Sequence, residues 1–271
     1  MSKTQRHRSE LQLIFTEFFQ TNDDKKLTEY LLSNSNLPGR RANLELARAF
    51  TIVVNDNWKD HKDFLWKLLI SLINIDPIQA PTNNPQEFLS FCATWALGTI
   101  GASSEIQYID ALSHLKELST DSRWRIREAV AKGIHELISL RSIETIKEID
   151  TWISKDHWLS MRAVVTGVAA PTLLQDNQIA KQALNLHKKV LTQVETCKDR
   201  KSEEFKVLRK GLAYSLSVVV QAIPEEGFKY LKELATSQDN DISWILKENL
   251  KKNRLVKNFP SKVKEITRLL Q

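Results

Sequence analysis

Apolar residues recur at steps of three and four along nearly the whole 271-residue chain, which is the period of a helix that buries one face. Between Asp121 and Leu140, the positions Ile126, Val130, Ile134 and Leu137 form such a stripe, while Arg123, Arg127, Lys132 and Glu136 take other faces. The spacing predicts an amphipathic helix over 121–140. Short polar or proline-bearing stretches interrupt the pattern, most clearly at Asn34 to Gly39, Pro77 to Pro85, Asp176, Cys197 to Ser202, Pro224 and Phe259-Pro260. They divide the chain into about fourteen helical segments. The N-terminal stretch starts with basic residues, but Glu10 and Glu17 break its apolar run, so it reads as a first amphipathic helix and not as an export signal. The longest apolar run, Phe64 to Ile75, contains Lys67 and is too short for a hydrocarbon core of about 30 Å. A cytoplasmic protein with no membrane partner is the expectation.

The segments repeat. Asp121-Ser-Arg-Trp-Arg-Ile-Arg127 and Asp156-His-Trp-Leu-Ser-Met-Arg162 each set an acid six residues before an arginine, 35 residues apart, and Asp241-Ile-Ser-Trp-Ile-Leu-Lys247 repeats the arrangement with lysine. Each acid stands where a helix N-cap would accept hydrogen bonds from the unpaired first-turn N–H groups. Repeated helix pairs bury their apolar faces against their neighbours, so 271 residues need no second, separate core.

Ala96-Leu-Gly98-Thr-Ile-Gly101, followed one helix later by Asp121 to Arg127 and then Ala129-Val-Ala131, resembles the HEAT-like (armadillo-type) helical repeat: a helix end of this composition, an acid cap, an arginine and small residues in the second helix. The resemblance covers residues 85–175 well and 200–255 fairly, and helix pairing extends it over 1–80. It implies an all-α fold, a right-handed α-α superhelix of stacked antiparallel helix pairs. The chain would form one array, 1–271, with divergent repeats or a cap over 1–80, clearer repeats over 85–255 and a basic cap helix over 256–271. Architecture of this kind serves scaffolds, nucleic-acid binders and some enzymes, so it does not fix a function.

A second resemblance bears on chemistry. Trp158-Leu-Ser-Met-Arg162-Ala163-Val164 is similar to a segment of the HEAT-like-repeat DNA alkylation-repair glycosylases, whose arginine helps to hold DNA in a concave groove. One repeat earlier that family carries a tryptophan and, a turn later, its catalytic aspartate. Here the same offset lands on Trp124 and then Arg127-Glu128. An arginine there inverts the electrostatics needed beside a cationic transition state. The resemblance therefore implies DNA-binding kinship without the usual catalytic acid, unless Glu128 serves in its place.

Composition narrows the rest. Seven glycines in 271 residues, against an average near 7%, supply few of the turns that sheet-rich folds need. Cys92 and Cys197 lie far apart and form neither a metal spacing nor a redox pair, and Cys92 sits in an apolar run that belongs in a core. No phosphate loop, nucleophile motif or paired histidine is present, and His7, His61, His114, His135, His157 and His187 are scattered. No catalytic residue, cofactor, metal or small-molecule site is assigned. The formal charge of +6 favours an acidic partner, protein or nucleic acid.

Basic and aromatic residues supply the candidate binding site. Arg127, Arg162, Arg209 and Lys247 recur once per helix pair, in the second helices that line the inner groove of such arrays. A basic groove tracks a phosphate backbone or an acidic segment; alternatively, each arginine pairs with the cap acid of a neighbouring repeat, Asp121, Asp156 or Asp241. Trp124 and Trp158 stand beside the basic positions, as does Trp244, where they would stack on bases, anchor a peptide or fill gaps between repeats. From Lys247 to Lys264 seven basic residues face Glu248 alone, a run suited to phosphates or to a solvated cap.

Overall fold

In the computed structural model, residues 2–103, 105–155, 157–197 and 200–270 are described, and all their regular structure is helical. The chain packs as two compact units, Met1–Leu137 and Ile138–Gln271. The first contains α1 (Lys3–Thr21), α2 (Lys25–Ser33), α3 (Leu44–Trp58), α4 (Lys62–Ile73), α5 (Glu87–Gly101), α6 (Glu105–Leu118) and most of α7 (Trp124–Leu140). The second contains α8 (Ser142–Asp150), α9 (Trp158–Gly167), α10 (Asn177–Thr196), α11 (Glu203–Ala222), α12 (Pro224–Leu234), α13 (Asn240–Leu250), the short α14 (Asn253–Val256) and α15 (Pro260–Leu269), with a 3-10 turn at Leu173–Gln175. Among the described residues fifteen α-helices thus stand against about fourteen expected segments, because one short helix, α14, lies inside the basic C-terminal run.

The predicted breaks mark real helix ends. Asp176 caps α10 by accepting from Gln178 and Ile179, Ser202 caps α11, and Pro224 and Pro260 open α12 and α15, where proline's missing N–H is no loss. At the N-terminus Ser2 and Gln5 form a reciprocal capping box. The acid caps turn out otherwise than expected. Asp239, not Asp241, caps α13, and α7 starts at Trp124, three residues beyond Asp121. Asp156 lies outside the described residues. The reason is local: Asp239 is the first acid whose extended backbone lets its carboxylate reach the N–H groups of Asp241 and Ile242.

Within the first unit, α1 packs on α3 and α3 on α5, with α4 and α6 along the flank of α5. Leu11, Phe15, Leu46, Phe50, Leu65, Phe88 and Ile126 fill the core, and Cys92 is fully buried there. α5 and α7 cross with almost no separation. A Cβ added to Gly98 would lie 2.2 Å from the carbonyl oxygen of Gly133 and 2.4 Å from its Cα, so this pair of helices requires glycine at position 98.

The second unit has the same logic: α9 packs on α11 and α11 on α13, with α10 and α12 flanking. Two buried polar side chains tie these helices. Asn249 of α13 accepts from the Ser217 N–H at 2.8 Å and donates to the Leu212 carbonyl at 3.0 Å, both on α11. His187 of α10 contacts the Ala183 carbonyl at 2.7 Å and the Ser215 hydroxyl at 2.8 Å. With the His187 ring fully enclosed, burial pushes its pKa from 6.5 down to about 4, so it is neutral at pH 7. Among the described residues no helix is long and apolar enough to cross a membrane.

Candidate binding faces

The first-unit candidates cluster at the start of α7. Trp124 is 44% exposed, and the Arg125 guanidinium lies 4.3 Å from its ring centroid. Arg125 itself is only 4% exposed. Its Nη1 pairs with Glu87 at 3.1 Å and its Nη2 donates to the Gly39 carbonyl at 2.7 Å, while Glu87, fully buried, also accepts from the Asn83 N–H at 2.8 Å. Asn83 in turn accepts from the Gly39 N–H at 2.8 Å. One buried ion pair therefore clasps the 39 and 83 loops to α5 and α7 and braces the exposed indole from below. Glu87 Oε1 and Arg125 Nε have no hydrogen-bond partner, so the pair is costly to bury and costlier to split.

Arg127 is half-buried and turns back on its own chain, donating to the carbonyls of Asp121 and, at 3.0 Å, Ser122. The Asp121 carboxylate belongs to a different arginine: Arg123 donates to it through Nε at 3.0 Å and Nη2 at 2.7 Å. Arg123, placed off the buried stripe by the periodicity, is 2% exposed, with Nη1 also donating to the Ile75 carbonyl at 3.2 Å. It is buried because it precedes α7, so the helical period does not govern its direction. Further along α7, Lys132 rests 4.4 Å from the centroid of Trp95, whose indole donates to Glu136 at 3.2 Å. Burial pulls the Lys132 pKa below its usual value, with Glu128 and Glu136 opposing that shift and Arg48 adding to it.

In the second unit, Trp158 is 5% exposed and packs edge-on against Phe205, and Arg162 is 9% exposed, its stem 3.2 Å from where a Gly211 Cβ would stand. Arg209 ion-pairs with Asp241 and lies 4.2 Å from the centroid of Trp244. Asp241 also receives Arg200 at 3.3 Å, and Arg200 reaches Asp239 as well. The repeat-to-repeat acid–arginine ladder is thus present between α11 and α13. Lys247 is exposed and has no acidic partner among the described residues.

Two arrangements have no marker in the sequence. Arg254 lies 4.6 Å from the ring centroid of Tyr214 and donates to its hydroxyl at 2.8 Å. At the other end of the chain, α1, α2 and α3 enclose an open cleft of about 400 Å³ lined by Lys3, Arg6, His7, Glu10, Tyr30 and Asn43 among others. Asn43 Oδ1 accepts from the Leu46 N–H, which turns its amide nitrogen toward His7 Nε2 at 3.4 Å. His7 Nδ1 then carries the proton and donates to the Tyr30 hydroxyl at 2.8 Å. Packing of three helices assembles this cleft, so no local spacing announces it.

No family model matches the chain, and no curated protein does. Among solved structures it is similar to a designed armadillo repeat protein, at 16% identity over 82% of this chain and 98% of that one, with a TM-score of 0.27. Two engineered proteins of the Northeast Structural Genomics Consortium are also similar. One shares 15% identity over 98% of both chains with a TM-score of 0.33, the other 16% over 88% of this chain and 98% of its own with a TM-score of 0.32.

Proposed function

We propose that this chain is a non-catalytic HEAT-like scaffold that binds an acidic macromolecule, protein or nucleic acid, through basic helix faces flanked by aromatic rings. The observation that carries the reading is Trp124: an exposed indole held over a buried Arg125–Glu87 pair is a pre-ordered contact surface, and ordering it in advance lowers the entropy lost on binding. Of the six sequence candidates, the proposal gives contact roles to Trp124, Arg127, Arg209 and Lys247. It gives packing roles to Trp158 and Arg162, whose surfaces are almost wholly covered.

The acid one turn after Trp124 supports the non-catalytic part. Glu128 lies in the field of Lys132, one turn further along α7, an ammonium that would compete with any cationic group for that carboxylate. The proposal treats residues 1–271 as one array.

The test is fluorescence anisotropy with labelled duplex DNA and labelled poly-glutamate, using wild type, Trp124→Ala and Lys247→Glu with helicity checked by circular dichroism. The expected outcome is weaker binding of at least one probe by both variants, with the Lys247→Glu loss shrinking as salt rises. Unchanged binding of every probe by both folded variants would sink the assignment.

A further inference from the structure

The face formed by α11, α13 and α14 carries more than basic charge. Most of α11 is buried, from Leu212 and Ala213 through Ser215 to Val220, and its outward stripe is Lys206, Lys210 and Tyr214, at successive four-residue steps. Beside it α13 carries the half-buried Trp244 and the exposed Lys247, and Lys251 follows at its C-cap, at steps of three and four. Two cation–ring contacts sit on this seam: Arg209 with Trp244 and Arg254 with Tyr214. The second is fixed in place by the bond from Arg254 to the Tyr214 hydroxyl, although Tyr214 is 52% exposed.

Arg209 and Tyr214 supply one partner of each pair from α11, and Trp244 and Arg254 supply the other from α13 and α14. A duplex keeps its bases paired and inward and offers an exposed ring little to stack on; a single strand with splayed bases offers their faces. The acids nearby are engaged: Asp241 with Arg209 and Arg200, Glu203 with Lys206, and Glu248 with Lys251. Lys247 and Arg254 are left without an acid among the described residues and face outward beside the rings.

We infer that the α11–α13–α14 face binds single-stranded nucleic acid, with Tyr214 and Trp244 as stacking platforms and Lys247 and Arg254 on the phosphates. This rests on the reading of the chain as a scaffold for acidic macromolecules and names which of them this face takes. An acidic peptide would satisfy the lysines but would leave the two rings unused. Aromatic rings set among basic side chains suit bases, and bases of any sequence.

The experiment is anisotropy of the full chain with a labelled oligo-uridine 20-mer at low and near-physiological salt, with an unlabelled duplex and unlabelled poly-glutamate as competitors. Tyr214→Ala, Tyr214→Phe and Lys247→Glu are compared with the wild type after a circular-dichroism check. The inference expects the single strand to bind, Tyr214→Ala to weaken it roughly five- to hundred-fold, and Tyr214→Phe to retain most of the affinity. Duplex at equal phosphate should compete poorly. If poly-glutamate displaces the strand as well as the strand displaces itself, or Tyr214→Ala changes nothing, the single-strand assignment is overturned while the scaffold reading stands. If the strand does not bind, the single-strand assignment is likewise overturned, and if poly-glutamate, labelled and titrated separately, does not bind either, the scaffold reading fails for this face as well.

Discussion

Both units place an arginine over a tryptophan beside an acid, and they use it differently. In the first, Arg125 is enclosed with Glu87 and ties two loops to two helices, leaving the face of Trp124 exposed. In the second, Arg209 pairs with Asp241 near the surface, and Lys247 next to it faces solvent. The same residue types therefore act as an internal clasp in one unit and as a charged rim in the other. The partner of the acid decides: a carboxylate with no water around it must keep its arginine, whereas a half-exposed one shares the charge with solvent.

The sharpest way to break the comparison is Arg125→Ala. It leaves the fully buried Glu87 carboxylate without its counter-ion, and the expected loss in stability is about 3–5 kcal/mol by chemical denaturation. Replacing both Glu87 and Arg125 with methionine should recover much of that loss. A result near zero for the single variant would show that the clasp is not a buried pair.

A pH titration probes the second unit's own buried group. The His187 pKa falls from 6.5 to about 4 on folding, so the unfolded chain binds the extra proton first as pH drops. The stability this neutral histidine contributes is full above pH 6.5 and is lost as pH falls toward 4, by about 3 kcal/mol in all. His187→Gln should flatten that slope in urea melts taken between those pH values; an unchanged slope would remove His187 as its source.

Next in size, Gly98→Ala drives a methyl into the backbone of Gly133, and forcing α5 from α7 should cost about 1–3 kcal/mol or more. Smallest is Arg254→Ala. Its contact with Tyr214 is exposed, so thermal stability should fall by only about 0.5–1 kcal/mol even if strand binding falls much further. A larger drop would turn Arg254 into a second clasp and erase the contrast between the units.

Much of this was legible beforehand. The helix ends at Asp176, Ser202, Pro224 and Pro260 follow from capping and from proline's missing donor, which act within a few residues and so leave local marks. The Arg209–Asp241 ladder was among the expected pairings because repeat spacing carries it. Asp121 was harder: its carboxylate goes to Arg123, two residues away, while Arg127 reaches the Asp121 and Ser122 carbonyls, because closer competition decides which donor reaches that acid first.

By itself the sequence determined the helices, their approximate ends and the buried stripe on most of them, because period, caps and prolines are short-range properties of the chain; α5, enclosed on nearly every side, shows no such stripe. Only the tertiary structure decided which charges are enclosed. Glu87 meets Arg125 across 38 positions, Arg254 meets Tyr214 across 40, and Trp158 and Trp124, each the first residue of its helix, end 5% and 44% exposed. The physical reason is that a side chain's surroundings come from the neighbouring helices packed against it, and the spacing within one helix does not contain that information.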